Sequence, residues 1–128
     1  MPTYLPDDPA LPRILAQPDI ALVACLCAEW CGTCREYRPA FDALAERMPD
    51  HVFVWVDIED FPDVTDDDDV EDFPTILIQV GEQVRFFGPM LPHIAHLEKV
   101  IAAVGKSAKN ITPAQGPNLN RLLREQAY

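Results

Sequence analysis

The stretch Ile20–Ala28, IALVACLCA, is a continuous apolar run rich in short side chains, bounded by Pro18 on one side and the Glu29-Trp30 step on the other. It is far too short to span a bilayer. A run of this kind suits a strand covered on both faces, as at the centre of an α/β sheet. A helical pattern follows it from about Gly32 to Arg47. There Tyr37, Phe41, Leu44 and Met48 mark an apolar face, with Ala40 and Ala45 beside it and most charged residues elsewhere on the wheel. Pro39 falls inside this helix, and a kink is expected at its missing N–H.

The same reading extends along the chain. His51–Ile58 (HVFVWVDI) is rich in β-branched and aromatic residues and predicts a second buried strand. The acidic connector EDFPDVTDDDDVEDFP has room for a short helix after Pro62. Thr75–Val80 and Gln83–Phe87 are strands separated by Gly81-Glu82, a hairpin signal in which Gly81 supplies the unusual backbone angle. Pro92 opens a last core helix, with Ile94, Leu97, Val100, Ile101 and Val104 inward and Gly105 as its stop. A strand-helix-strand unit followed by a hairpin and a helix predicts an α/β fold, a mixed sheet flanked by helices on both faces. The expected division is a domain over residues 1–105 and a partly helical C-terminal extension over 106–128, with its amphipathic run at Leu119–Gln126.

Composition excludes some partners. The chain has 128 residues and a net charge of −11. Nucleic-acid binders need clustered Lys and Arg, and an anionic membrane surface repels such a chain, so neither is expected as a partner. The first residues lack a basic start followed by an apolar run, which points to the cytoplasm. Four cysteines in a chain kept in that reducing compartment indicate redox catalysis or metal binding ahead of a structural disulfide frame.

Two of the four, Cys31 and Cys34, sit where the buried strand turns into the helix. Unpaired N–H groups and the positive end of the helix dipole converge at that corner and favour thiolate over thiol. Cys31 is therefore the expected nucleophile and Cys34, one turn further in, the more shielded resolving thiol. In two-step exchange Cys31 attacks a substrate disulfide and Cys34 releases the mixed disulfide. Zinc is the rival, yet a structural site needs four converging ligands. Cys25 and Cys27 lie two apart on a strand, with Cα atoms roughly 6.6 Å apart on one sheet face. They are expected to point across the sheet instead of toward the Cys31-Cys34 turn, as small core residues with no bond between them. His51, His93 and His96 are remote in sequence, so no metal is expected.

The combination AEWCGTC, Arg35, Pro39 five residues past the second cysteine, and the Phe73-Pro74-Thr75 step resembles the thioredoxin family over about Asp7 to Val104. The resemblance implies a thioredoxin fold, Cys31 as nucleophile and Cys34 as resolving thiol. It also implies a substrate groove shaped by Trp30, Gly32, Thr33, Phe73 and Pro74, with Pro74 as a cis proline facing the sulfurs. No cofactor is implied beyond the redox-active Cys31–Cys34 disulfide. The implied partners are disulfide-containing protein substrates and an external reductase as electron donor.

Three departures stand out. Thr33 occupies a position where the family commonly has proline, which favours a less reducing couple than a housekeeping thioredoxin at ~−270 mV. Cys25 aligns with the family's buried aspartate, so it takes the candidate proton-relay position with a thiol that is a poor base. Trp55 replaces a basic residue common in the second strand, and the run Asp66–Asp72 adds a negative rim that would steer basic partners. The expected function is thiol–disulfide exchange, in the direction of protein-disulfide reduction. The alternative is a thioredoxin-fold binding module or chaperone with incidental redox activity.

Overall fold

The computed structural model describes residues 3–28, 32–61, 74–106 and 112–125. Within them the apolar run becomes β2 (Ala21–Cys27), every residue of which is buried. Side chains alternate across a strand, so β2 feeds two cores at once. Val23, Cys25 and Cys27 belong to one cluster; Leu22, Ala24 and Leu26 belong to the other.

The sheet is built outward from β2. On one side lies β3 (His51–Asp57), parallel to it, and beyond that β1 (Thr3–Tyr4), parallel to β3. On the other side lie β4 (Thr75–Val80) and β5 (Gln83–Pro89), both joined antiparallel. The strand order is β1-β3-β2-β4-β5, a mixed five-stranded sheet. The β4–β5 hairpin closes through Gly81, whose φ of 58° is costly for any residue with a Cβ.

Helix α2 (Gly32–Arg47) runs through Pro39 and buries Cys34, Tyr37, Phe41, Leu44 and Ala45 on the first face. Phe41 is the anchor, edge-on to Phe53 at 5.3 Å and to Trp55 at 5.5 Å. Each such aromatic pair contributes about 0.5–1.5 kcal/mol beyond the area it buries. Helix α3 (Ile94–Val104) shares this face through Leu97 and Ile101. It begins two residues later than the proline predicts. His93, in extended backbone, is the residue that caps it, and Pro92 lies before the cap. Gly105 ends the helix, as expected. A Cβ there would press into the Ile101 carbonyl and come within 2.7 Å of His51 Nε2. Arg85 of β5 donates to the carbonyls of Val104 and Gly105 at 3.2 and 2.8 Å, placing a cation at the negative end of α3.

The second face is covered by α1 (Leu11–Leu15) and α4 (Leu119–Glu125). Leu11, Leu15, Leu119 and Leu123 are all buried against Leu22, Val54, Val56 and Leu77. Polar bonds fix the attachment. Gln79 of β4 is fully buried, donates to Asn118 Oδ1 at 2.6 Å, and accepts from the Asn120 N–H at 3.0 Å. The segment past Gly105 thus supplies part of the molecule's interior. The helix expected after Pro62 and the acidic run 66–72 lie outside the described residues.

Candidate active site

The redox corner forms where β2 meets α2. Seven of seven β2 residues are buried, so the strand delivers the chain to the sheet's edge with no freedom of register. Helix α2 then starts at Gly32, with Gly32 and Thr33 exposed and no acidic residue in its first turn to offset the dipole. Cys34 points inward and is 1% exposed. It borders a cleft of about 390 Å³ lined also by Ala28, Arg35, Arg38, Trp55 and Asp57. Trp30, Cys31 and Phe73 lie outside the described residues. Pro74 is buried directly before β4, where Thr75 pairs with Leu26, so it stands at the Cys27 end of the β2–β4 ladder. Its carbonyl accepts from the Met90 N–H at 3.0 Å.

One expectation is corrected here. Cys27 does not point across the sheet away from the helix turn: its Sγ is bonded to Cys34 Sγ, with the Cα atoms 5.9 Å apart. That Cα distance lies within the ordinary range for a disulfide. The reason is the layer packing. Cys27 is the last residue of β2 and faces the side on which α2 lies, and Cys34 is the first inward residue of α2. Strand-face reasoning placed Cys27 correctly on its face but left out the helix that lies across it.

Cys25 is the free thiol, fully buried, with Sγ 3.6 Å from Cys27 Sγ. No bond joins Cys25 to Cys27, as their strand spacing requires. Burial pushes the Cys25 thiol far above its usual range, with Arg38 pulling weakly the other way. At neutral pH it is a neutral thiol and cannot act as a base. A cation from α2 covers Trp55 of β3: the Arg38 guanidinium lies 5.1 Å from the Trp55 ring centroid and is held by Asp42 at 3.1 Å. Neither the Arg38–Trp55 stack nor the Cys27–Cys34 bond was read from the sequence. A signal for the first was present, since Arg38 lies four residues after Cys34 and three before Phe41, one helical turn from each buried residue. Among the described residues no group of three or more His, Cys, Asp or Glu side chains converges as a metal site.

A buried central strand, a helix beginning at a C-x-x-C pair and a buried proline at the head of the neighbouring strand define a thiol–disulfide oxidoreductase. The thioredoxin family model matches residues 8–103. An H-type thioredoxin of Picea mariana is 33% identical over 90 residues, which is 69% of this chain and 72% of that protein. Thioredoxin H2 of Arabidopsis thaliana is 38% identical over 65 residues, half of this chain and 49% of its own length. The oxidised mitochondrial thioredoxin 3 of Saccharomyces cerevisiae superposes with a TM-score of 0.61 at 29% identity, covering 70% of this chain and 83% of that one. The chain belongs to the thioredoxin family.

Proposed function

We propose that the protein reduces disulfides in other proteins, with Cys31 as the attacking sulfur and Cys34 as the resolving one. The observation that carries this reading is Cys34 itself, the first inward residue of a helix that begins immediately after Cys31. A substrate disulfide is attacked by the Cys31 thiolate, one substrate sulfur leaves, and Cys34 then displaces the other. Trp30, Gly32, Thr33, Phe73 and Pro74 shape the groove for an extended substrate segment, with Pro74 in the cis form. Backbone pairing to Phe73 aligns that segment as an added strand.

No resident cofactor is needed, since the electrons reside on sulfur. They come from an external reductase, and the cytoplasm is the compartment in which such donors keep thiols reduced. Cys25, as a neutral buried thiol, leaves proton transfer at Cys34 to water in the adjoining cleft. The binding-module reading is not favoured by family membership.

Insulin reduction by dithiothreitol tests the assignment. The wild-type chain is expected to accelerate insulin precipitation, C31S to fall to the dithiothreitol background, and C34S to accumulate a mixed disulfide on Cys31. Acceleration by C31S equal to wild type would remove Cys31 from its role.

A further inference from the structure

Cys34 has a claimant other than Cys31. It is bonded to Cys27, across the β2–α2 turn, in the fully buried layer between sheet and helix. Both sulfurs are carried by elements that are rigidly placed: β2 by its ladders on either side, α2 by Phe41 and Leu44 in the core. A pairing built on those elements is a property of the folded domain.

We propose that Cys27–Cys34 is a second redox disulfide of this protein, formed from the Cys31–Cys34 disulfide by internal exchange, and that it halts turnover by withdrawing Cys34. The consequence for turnover rests on the function assigned above; the existence of the Cys27–Cys34 bond does not. The Cys27 thiol gives up its proton as its sulfur attacks Cys34 Sγ, the Cys27–Cys34 bond forms, the Cys31–Cys34 bond breaks, and the electron pair leaves on Cys31. The proton lost by Cys27 is matched by the one Cys31 can take up. No oxidant or reductant is consumed.

Chemistry favours this direction. Cys31 directly precedes, in sequence, the first residue of α2, a position that favours a thiolate, so it is taken as the better leaving group. Arg38 places a positive charge close enough to act on the sulfur layer, and the cleft beside Cys34 gives water and protons a route to it. The product hides its disulfide: Cys27 and Cys34 are each 1% exposed. Cys31 is left as a single thiol that can capture a substrate sulfur but has no Cys34 to release it. The fold therefore couples oxidation of the protein to loss of two-thiol catalysis, with a buried bond that a bulky reductant reaches poorly.

The test maps the bonds directly. The full chain is reduced, oxidised with diamide, quenched in acid, alkylated with iodoacetamide under denaturing conditions and cleaved after glutamate. Cleavage after Glu29 separates Cys25 and Cys27 from Cys31 and Cys34. The expected product is a cross-linked pair of peptides with Cys31 alkylated, retained in C25S and absent in C27S. In the insulin assay, oxidised wild type is expected to show a lag before activity recovers, and oxidised C27S none. Oxidised wild type in which Cys31 and Cys34 are joined and Cys27 is alkylated would overturn the proposal, as would a lag of equal length in C27S. Failure of the functional assignment reads differently, as a fully reduced C27S protein that does not accelerate insulin precipitation.

Discussion

His51 shows how this fold sets the charge of single residues. Its imidazole is buried at the start of β3, where Nε2 accepts the Lys106 N–H at 3.2 Å and Nδ1 lies 3.6 Å from the Asp50 carboxylate, beyond hydrogen-bond length. Burial lowers its pKa below the ordinary 6.5, Asp50 pulls it back up, and Lys106 adds a smaller push down. The unfolded chain therefore binds a proton in a pH window where the folded chain does not. His51's contribution to stability is complete above about pH 6.5 and shrinks as the pH falls through the window below it. Urea titrations at pH 7.5 and 5.5 are expected to show a larger drop in midpoint for wild type than for H51Q. Equal drops would mean that His51 is not the group responsible. Cys25 obeys the same physics with the opposite charge rule: its thiol stays protonated because an anion in that layer would be desolvated. From the sequence, Cys25 was legible as a small buried residue, because strand alternation alone decides which way it faces.

Among the elements, α4 gives the clearest stability prediction. Leu119 and Leu123 are fully buried, and Asn120 donates to the Leu15 carbonyl while Arg124 donates back to Asn120 at 2.7 Å. L123A is expected to cost about 2–5 kcal/mol, the range for emptying a closed apolar site. Chemical denaturation measures it, and a loss below about 0.5 kcal/mol, typical of surface changes, would show the helix to be loosely attached. The periodic run at the tail was visible in the sequence; its docking was not. One clue was available in Gln79, a lone polar residue inside TILIQV whose amide had to meet a partner once buried. The elements β1 and α1 escaped the sequence reading for a different reason. α1 spans five residues, Leu11–Leu15, with Pro12 in its first turn where a missing N–H costs nothing, and five residues are too few to show a period.

The whole molecule carries a net charge of −11, so its field reaches approaching substrates before any contact is made. With an anionic enzyme, kcat/KM for a cationic disulfide peptide is expected to fall several-fold, on the order of 3–10, between 50 and 500 mM salt. For an anionic peptide of the same length it is expected to rise. Stopped-flow rates across the salt series decide it, and parallel curves for the two peptides would exclude steering by charge.

What the sequence determined by itself was everything governed by neighbours along the chain. The buried run of β2, the period of α2, the turn at Gly81 and the sulfur pair at a helix start all follow from local geometry and side-chain type. Tertiary structure decided which sulfur Cys34 meets, which cation covers Trp55, and that α4 closes the second core. Those outcomes depend on distances between residues on different elements. Such distances exist only once sheet and helices are stacked, and no periodicity encodes them.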